Sequence, residues 1–277
     1  MPELPEAETI VRGLRPAIVG LTIAQAEVLK PDILRESKRS FGPKVRGRTI
    51  ESVDRRAKNV LIRLDGERRI AINLGMTGKL LPFPRPPRGS GRPTHPAVRF
   101  RFTDGSILVF DDTRRFGTVE CLSDEEWQVR EARFGPEPLD PKYAPAALYE
   151  ALAQSRSPVR SWLLDQRKIA GVGNIYAAEA LFLSGIHPLR EARAVTPAEA
   201  TRLHQAIRDV LSDAIDEGGT TIRDYRNAIG GEGGYARLLF VYGRDGEACR
   251  RCGSDIERVV LSNRSAFFCP LCQPSPA

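Results

Sequence analysis

Val98-Arg99-Phe100-Arg101-Phe102 alternates apolar and basic side chains, and Asp104-Gly105 follows it before the apolar run from Ser106 to Phe110. The alternation is typical of a strand with one buried face, and Asp-Gly is a favoured hairpin turn. Short alternating segments such as Val60-Leu61-Ile62-Arg63-Leu64 recur from Leu21 to about Leu122. This part of the chain is therefore predicted to form a β-sandwich or a barrel.

An amphipathic helix is predicted in front of this β region. Its apolar positions recur at helical spacing and would form one buried face: Ile10, Val11, Leu14 and Ile18. Pro5 suits the first turn of a helix, and Glu6 and Glu8 favour its positive end. Gly20 ends the pattern, so this helix would anchor the residues at the start of the chain.

The apolar pattern becomes helical after Gly135-Pro136-Glu137-Pro138-Leu139-Asp140-Pro141, a segment typical of a linker. Helices are predicted at about 145–154, 158–166, 174–184 and 197–217. Thr196 and Glu199 have capping-box spacing at the start of the last helix. We therefore expect four segments, namely an N-terminal domain (1–134), a linker (135–145), a helical domain (146–240) and a C-terminal segment (241–277).

Four cysteines in the last segment have the spacing of a metal site. Cys249 and Cys252 are separated by two residues, as are Cys269 and Cys272, and sixteen residues lie between the pairs. Four thiolates complete a tetrahedron around zinc and leave no position for water, so the metal would be structural. Two disulfides or a redox pair are the alternatives, which a cytosolic context disfavours. Cys121 lies in an alternating apolar stretch and is expected to be a buried strand residue.

Composition limits the class of protein. The chain has 277 residues, 41% hydrophobic content, a formal net charge of +7 and a pI near 9.4. A run of about 18 apolar residues is missing and the first residues are acidic, so neither secretion nor membrane insertion is expected. The basic excess favours a polyanionic partner, and residues 39–69 alone hold ten basic side chains. A soluble cytoplasmic protein is the expectation.

The segment Met1-Pro2-Glu3-Leu4-Pro5-Glu6 suggests a nucleophile. If Met1 is removed, the secondary amine of Pro2 becomes the N-terminus beside two carboxylates. An α-amino group has a pKa of about 7.7–8, so a usable fraction is unprotonated at neutral pH. Condensed with an aldehyde, this amine gives an iminium that acts as an electron sink for elimination at the neighbouring carbon. A proline that merely follows a cleavable methionine is the alternative.

The order and spacing of motifs along the whole chain resemble the formamidopyrimidine-DNA glycosylase family, bacterial enzymes that remove oxidised purines. The shared motifs are the segment 2–6 with Glu8, then 55–58, 74–78, 114–117, 135–139, 171–177 and 241–244, the four cysteines, and Arg264 five residues before Cys269. The resemblance implies an α+β protein. It would have an N-terminal β-sandwich with an N-terminal helix, a central helix–two-turns–helix domain and a C-terminal four-cysteine zinc-finger β-ribbon.

The resemblance also implies a bifunctional DNA glycosylase and AP lyase of base excision repair, which acts on a base flipped out of duplex DNA. The implied partner is double-stranded DNA with 8-oxoguanine or a formamidopyrimidine, preferably opposite cytosine. The enzyme would be a cytoplasmic, nucleoid-associated monomer with one structural zinc ion and no catalytic metal.

Five residues match the catalytic positions of the family: Pro2, Glu3, Glu6, Lys58 and Arg264. The Pro2 nitrogen would attack C1′ of the damaged nucleotide, Glu3 would protonate the sugar ring oxygen, and Glu6 would shape the pocket. Plain helix N-terminal charge is the alternative for both carboxylates. Lys58, in a strand-like segment, would donate a proton for β-elimination and contact a phosphate. Arg264 matches the finger arginine assigned to δ-elimination and phosphate binding, and phosphate binding is the favoured role because arginine stays protonated and is a poor proton shuttle.

Seven more residues match positions that contact DNA in the family: Met76, His95, Arg114, Phe116, Arg156, Asn174 and Arg223. Met76 would fill the space left by the flipped base, Phe116 would enter the opposite strand's stack, and Arg114 would read the orphaned base. Without the resemblance, Met76 and Phe116 would be assigned to the core.

The other four DNA-contacting residues are separate from Met76, Arg114 and Phe116, which together would form the wedge that enters the base stack. Asn174 begins a helix after Gly171-Val172-Gly173, which is typical of a phosphate site made of backbone amides or of an ordinary N-cap. Arg223 belongs to the loop expected to close over the damaged base. Arg156 matches a DNA contact, as does His95, which is otherwise a simple loop residue.

The chain departs from the family pattern in three places. Asp111-Asp112-Thr113 stands where a proline usually precedes the arginine pair, and His95-Pro96-Ala97 lacks a second histidine. The segment 230–236 is rich in glycine, which raises the entropic cost of ordering it. We hypothesise a lid that is disordered without a lesion and accepts a broader range of substrates, which hydrogen exchange on the free enzyme would test.

Two alternatives remain. An endonuclease VIII-like enzyme for oxidised pyrimidines would share the fold and the nucleophile, but Leu4-Pro5 and Arg114-Arg115-Phe116 argue against it. A DNA-binding protein without catalysis is less consistent with intact Pro2, Glu3 and Lys58. Strand cleavage of a lesion-containing duplex would separate this second alternative from an enzyme.

Overall fold

The N-terminal β region forms two four-stranded antiparallel sheets in this computed structural model, which describes residues 2–87, 89, 92–221, 231–261 and 263–275. The first sheet has the order β1 (Ile23–Val28), β6 (Pro96–Phe102), β7 (Ile107–Asp112), β5 (Gly78–Phe83). The second has the order β2 (Ile50–Arg56), β3 (Asn59–Leu64), β4 (Arg68–Asn73), β8 (Thr118–Ser123). The predicted hairpin is β6–β7, in which Val98 pairs with Phe110 and Phe100 with Leu108.

Alternation along the strands explains how the two sheets pack. Phe100 and Phe110 from the first sheet and Ile62 and Ile72 from the second are at most 1% exposed and share one core. Burial of each such side chain contributes about 1.5–3 kcal/mol. The sheets thus form the predicted sandwich, and Cys121 of β8 is buried in the same core, where desolvation raises the pKa of its thiol to about 11.

Three helices accompany the sandwich. Helix α1 (Leu4–Ile18) buries its apolar stripe in the core, as predicted. Helices α2 (Lys38–Val45) and α3 (Asp124–Glu131) were not predicted. Gly42 and Pro43 conceal α2, because both residue types disfavour a helix interior. The start of α3 is a capping box, in which Ser123 Oγ accepts from the Glu126 backbone N and Glu126 accepts from that of Ser123.

The helical region lies within two residues of its predicted bounds. Its helices are α4 (Pro145–Ala153), α5 (Val159–Leu164), α6 (Asn174–Ser184) and α7 (Pro197–Asp216). The Glu199 carboxylate accepts from the backbone N of Thr196 at 2.8 Å, which confirms the predicted cap. Helix α6 is buried on nearly all sides, so it is the central helix of this region.

The C-terminal cysteines flank an antiparallel ribbon of β9 (Glu257–Leu261) and β10 (Arg264–Phe268). Ile256 and Phe267 share a small core with Phe182 of α6 and with Val241. Short 3₁₀ turns complete the regular structure: Pro31–Ile33, Ala192–Ala194 and Tyr235–Leu238. Among the described residues, no helix combines the length and apolar character needed to span a bilayer.

The chain divides into two compact units. The first consists of Met1–Arg133 with Glu217–Gly234, and the second of Phe134–Asp216 with Tyr235–Ala277. The segment Glu217–Gly234 therefore groups with the sandwich, although it lies within the predicted helical domain 146–240. A hydrogen bond from the Thr220 backbone N to Glu6 is one physical reason. The division into four segments stays a prediction.

Candidate functional site

Two buried carboxylates stand at the N-terminus of α1, next to Pro2. Glu3 is 2% exposed, Glu6 is 1% exposed, and Pro2 is also buried. Glu6 Oε2 accepts from the Glu3 backbone N at 2.7 Å, and Glu6 Oε1 accepts from the Thr220 backbone N at 2.7 Å. Both Glu6 oxygens therefore accept from backbone donors, and the Glu3 side chain accepts from the Glu6 backbone N in the same capping box, so the two carboxylates fix the backbone around Pro2.

Lys58 lies in the tight turn between β2 and β3, not in a strand as expected. The preceding residue, Ala57, has a φ of 53°, a left-handed value that is unfavourable for a side chain with a Cβ. Arg55 holds this turn, since it donates to the Ala57 carbonyl at 3.0 Å and pairs with Glu8 of α1 at 3.2 Å. The half-buried Lys58 is thereby placed in a turn that is fastened to the helix following Pro2.

Met76, Arg114 and Phe116 lie on two loops at one end of the sandwich. Met76 is 37% exposed and Phe116 is 56% exposed, so neither belongs to the core. The guanidinium of Arg114 stacks over the Phe116 ring, with its carbon 4.6 Å from the ring centroid. Between them, Arg115 has a φ of 56°. Two apolar side chains and one cation thus project together from adjacent loops.

His95 lies at the same end of the sandwich, where the aspartates of β7 order the loops. The Asp111 carboxylate accepts from the His95 backbone N at 2.6 Å, and the Asp112 backbone N donates to the His95 carbonyl at 3.0 Å. The exposed His95 ring has its Nδ1 atom 2.9 Å from the Thr94 hydroxyl. The two aspartates that departed from the family pattern are therefore structural supports, a role that the sequence analysis missed.

A buried arginine joins the start of α6 to the ribbon in the second unit. Arg160 is 1% exposed and donates to Asn174 Oδ1 at 2.6 Å and to the Ser265 carbonyl at 2.9 Å. Asn174 also donates to the Ser265 carbonyl at 3.0 Å. Burial and the neighbouring charge of Arg264 lower the pKa of Arg160. Asn174 and the ribbon residue Arg264 are thus brought together through a residue that the sequence analysis did not single out.

A cleft of about 340 Å³ lies beside this network and is lined by Arg160, Ser161 and Arg264 among others. Two guanidinium groups at one cleft favour an anionic ligand. Arg264 is exposed at the start of β10, after Asn263, whose φ is 59°. Arg156 is also exposed but precedes α5 and is not one of the residues of the network.

The four predicted metal ligands converge. Their sulfur atoms all lie within 4.8 Å of one another. Cys252 and Cys269 have sulfurs 3.4 Å apart, and those of Cys249 and Cys272 are 4.0 Å apart, much longer than a disulfide bond of about 2.05 Å. Zinc bound tetrahedrally at about 2.3 Å from each sulfur spaces them by about 3.8 Å. The cluster therefore fits a four-thiolate zinc site and does not form disulfides.

The chain entering the ribbon is held by a buried carboxylate on α6. Glu179 is fully buried and accepts from the backbone N atoms of Phe240, Val241 and Tyr242 at 2.7, 3.0 and 2.8 Å. Desolvation raises the pKa of Glu179, and the three hydrogen bonds oppose this shift. Glu179 is a structural anchor for the segment that leads to the cysteines, again unnoticed in the sequence.

Part of the predicted lid falls outside the described residues, as does Arg223. At its described end, Gly233 donates to the Thr221 hydroxyl at 2.8 Å, and Gly234 donates to the Glu217 carbonyl at 2.8 Å. A Cβ at Gly233 would lie 2.2 Å from the Gly219 carbonyl oxygen. Gly233 therefore permits a close backbone contact that a side chain would block. The lid hypothesis itself stays a prediction.

Three family models match the chain in the predicted order. They are the formamidopyrimidine-DNA glycosylase N-terminal domain over residues 1–119, the formamidopyrimidine-DNA glycosylase H2TH domain over 134–226, and the zinc finger found in FPG and IleRS over 246–274. Curated relatives match over their full length. The formamidopyrimidine-DNA glycosylase of Chloroflexus aurantiacus is 44% identical over 274 residues, which cover 99% of this chain and 98% of the relative. That of Geobacillus kaustophilus is 41% identical over 281 residues, covering 99% and 100%.

Solved structures agree with these matches. Lactococcus lactis Fpg in complex with DNA containing an abasic site has a TM-score of 0.91 at 33% identity, covering 99% of this chain and 100% of that chain. The MutM (Fpg) protein of Thermus thermophilus has a TM-score of 0.88 at 39% identity, covering 100% of both chains. The family resemblance and the predicted fold class are confirmed.

Proposed function

Since this chain belongs to the formamidopyrimidine-DNA glycosylase family, we propose that its substrate is an oxidised purine in duplex DNA, preferably opposite cytosine. The family's activity is that of a base excision repair glycosylase with AP lyase activity, and this is the activity of the chain. The proposal names 8-oxoguanine and formamidopyrimidines as the lesions. We further propose that the enzyme acts as a monomer.

The buried carboxylate pair beside Pro2 is the observation that carries the catalytic proposal. Freed by removal of Met1, the Pro2 nitrogen attacks C1′ and the damaged base leaves with the electron pair of the glycosidic bond. Glu3 donates a proton to the sugar ring oxygen as the ring opens, and loss of the amine proton yields the iminium. The position of Glu3 supports this role, because this residue is 2% exposed and directly follows Pro2 in the chain.

Elimination follows from the iminium. Removal of a proton from C2′ expels the 3′ phosphate, and a second elimination expels the 5′ phosphate, which leaves a one-nucleotide gap. We assign Lys58 to proton donation in the first of these steps, the β-elimination, and to a phosphate contact. The fastening of its turn to α1 through Arg55 and Glu8 supports this assignment.

Base extrusion is assigned to the loops at the end of the sandwich. Met76 fills the vacated stack, Phe116 enters the opposite strand, and Arg114 reads the orphaned base at its pairing edge. Their shared exposure supports this assignment, since large apolar side chains at a solvated surface are typical of contact sites. His95 at the same end is assigned to a DNA contact, and Arg223 to the loop over the lesion.

The second unit is assigned to the DNA backbone. The cleft lined by Arg160, Ser161 and Arg264 carries two guanidinium groups, which favours a phosphate. Arg160 connects this cleft to Asn174 at the start of α6, which we assign to the same backbone contact. Arg156, which we assign to a further DNA contact, is also exposed in this unit. A zinc ion on the four cysteines would supply structural rigidity to the ribbon that carries Arg264.

Borohydride trapping tests the nucleophile. The purified protein is incubated with duplex DNA carrying 8-oxoguanine opposite cytosine, borohydride is added, and the trapped complex is digested for mass spectrometry. We expect one covalent adduct on the Pro2 nitrogen with Met1 absent. An adduct on Lys58 instead would overturn the assignment of the nucleophile, and Lys58→Gln is the control, because it should still trap while cleaving the strand slowly.

Substrate choice is tested by replacing the lesion. Matched duplexes with 8-oxoguanine opposite cytosine or adenine, and with an oxidised pyrimidine opposite its normal partner, are compared at one enzyme concentration. Faster excision of the oxidised pyrimidine would favour the endonuclease VIII-like alternative. DNA binding without strand cleavage of any duplex would favour a protein without catalysis.

A further inference from the structure

We propose that Thr77 and Asp112 form a clamp that holds the Met76 loop and the Arg114–Phe116 loop in one arrangement, and that this clamp is a positioning device for base extrusion. The inference rests on the proposed function, since it takes Met76, Arg114 and Phe116 to be the residues that open the stack. Neither Thr77 nor Asp112 is expected to touch DNA, because they are only 6% and 1% exposed.

The topology places the two loops side by side. Residues 74–77 connect β4 of the second sheet to β5 of the first, and residues 113–117 connect β7 of the first sheet to β8 of the second. The strands that flank the loops are paired, Gly78 with Asp112 in one sheet and Asn73 with Thr118 in the other. Both loops therefore cross between the sheets at the same end of the sandwich.

One hydroxyl and one carboxylate link these crossings. The Thr77 hydroxyl donates to Asp112 Oδ1 at 2.5 Å and accepts from the Arg114 backbone N at 3.0 Å. Asp112 Oδ2 accepts from the Gly117 backbone N at 2.8 Å. The loop that carries Arg114 and Phe116 is thus held at both ends, and the Met76 loop supplies the hydroxyl that holds it.

The loops also touch through their backbones. A Cβ added at Gly75 would lie 2.5 Å from both the Gly117 nitrogen and the Phe116 carbonyl carbon. This close approach fixes the position of the Met76 loop relative to the loop that carries Arg114 and Phe116. A wedge needs such rigidity, because an exposed side chain that swings freely loses conformational entropy when it enters the base stack.

Only a hydroxyl can serve both ends of this network. Thr77 is a donor to Asp112 and an acceptor from Arg114, and the hydroxyl is the side-chain group that is both at one atom. Valine has nearly the shape of threonine but can do neither, so it removes one hydrogen bond from the buried Asp112 carboxylate and one from the Arg114 backbone N. Serine retains both hydrogen bonds. Thr77→Val and Thr77→Ser therefore form a matched pair that separates the hydroxyl from the shape of the side chain.

The test compares a substrate that needs extrusion with one that does not. Single-turnover excision of 8-oxoguanine opposite cytosine is measured beside strand cleavage at a preformed abasic site, where no base has to leave the stack. T77V is expected to slow excision by at least about tenfold, because it removes two hydrogen bonds, one of them to the buried Asp112 carboxylate. It is expected to slow abasic-site cleavage by less than about twofold. T77S is expected to restore excision.

Equal losses on both substrates would overturn the proposal, because they would indicate a general structural defect, and so would wild-type excision by T77V. Asp112→Asn gives a second reading should T77V not fold, since an amide cannot accept from both Thr77 and Gly117. It should give the same contrast between substrates. Met76→Ala and Phe116→Ala test the proposed function of the loops separately from the clamp. Normal excision by both variants would show that these side chains are not needed for base extrusion, and would overturn the proposed function of the loops.

Discussion

Replacing Gly75 with alanine is expected to destabilise the β-sandwich, because it forces apart the Met76 loop and the Arg114–Phe116 loop. Gly75 has a φ of +58°, and an added Cβ would lie 2.5 Å from the Gly117 nitrogen and from the Phe116 carbonyl carbon. Both are backbone atoms that cannot rotate away. Gly105 is the matched control, because its φ of +87° is also left-handed but nothing lies within 4 Å of its Cβ position.

The two variants separate backbone strain from steric overlap. A left-handed alanine costs about 1 kcal/mol at either site. At Gly75 the loops must also separate by about 0.9 Å to reach an ordinary contact of 3.4 Å, an overpacking that costs about 1–3 kcal/mol more. Gly75→Ala should therefore lower the free energy of unfolding by about 2–4 kcal/mol, against about 1 kcal/mol for Gly105→Ala.

Urea unfolding followed by tryptophan fluorescence measures this difference. The chain has two tryptophans, and Trp127 lies in the first unit whereas Trp162 lies in the second. In a Trp162→Phe background the signal reports on the unit that contains both mutated glycines. Equal unfolding midpoints for the two alanine variants would refute the close approach of the loops. Gly75→Ala should also slow excision of 8-oxoguanine more than cleavage at an abasic site.

Other contacts lead to further expectations. Glu6→Gln should slow single-turnover excision by about tenfold or more, because an amide offers one acceptor oxygen to two buried backbone N–H groups. Glu126→Gln, in the cap of α3, is the control in the same assay. Removing zinc with a chelator should speed amide exchange in the ribbon while the sandwich stays protected, and Zn²⁺ but not Mg²⁺ should reverse the effect; exchange unchanged in the ribbon would contradict it. Burial lowers the pKa of His187 against the opposing charge of Glu257, and its Nδ1 accepts from the Leu189 backbone N at 3.3 Å. The folded state favours the neutral ring, so the free energy of unfolding should fall as the pH drops from 6.5 through the lowered pKa of His187. In His187→Gln, the unfolding midpoint should depend less on pH over this range.

Local chemistry explains why the helices and strands were predictable. The buried stripe of α1, the β6–β7 hairpin with its Asp104-Gly105 turn and the Thr196 cap of α7 depend on residues within a few positions of one another. Helix α2 was missed for the same reason, because its Gly42 and Pro43 oppose a helix locally and packing against the sandwich overrides them.

The candidate site divides in a similar way. The spacing of the four cysteines was sufficient to predict a cluster. Two Cys-x2-Cys pairs separated by sixteen residues are the pattern by which four thiolates bind one zinc ion. The exposure of Met76 and Phe116 was not predictable from composition, since both residue types are usually buried and their loops are displayed only by crossings between two sheets. The position of Lys58 in a turn was likewise not predictable, because it depends on the pairing of β2 with β3, in which Arg56 lies opposite Asn59.

The sequence alone therefore determined the family, the N-terminal helix, the β-sandwich and the four later helices, the cysteine cluster and the identity of the residues proposed for catalysis. Tertiary structure alone decided which polar groups support them, namely Thr77 with Asp112, Glu6 with Thr220, and Arg160 with Asn174. The partners in these pairs are 35, 214 and 14 positions apart in the chain. A buried polar group needs a partner wherever the fold provides one, and no local pattern specifies which distant residue that partner will be.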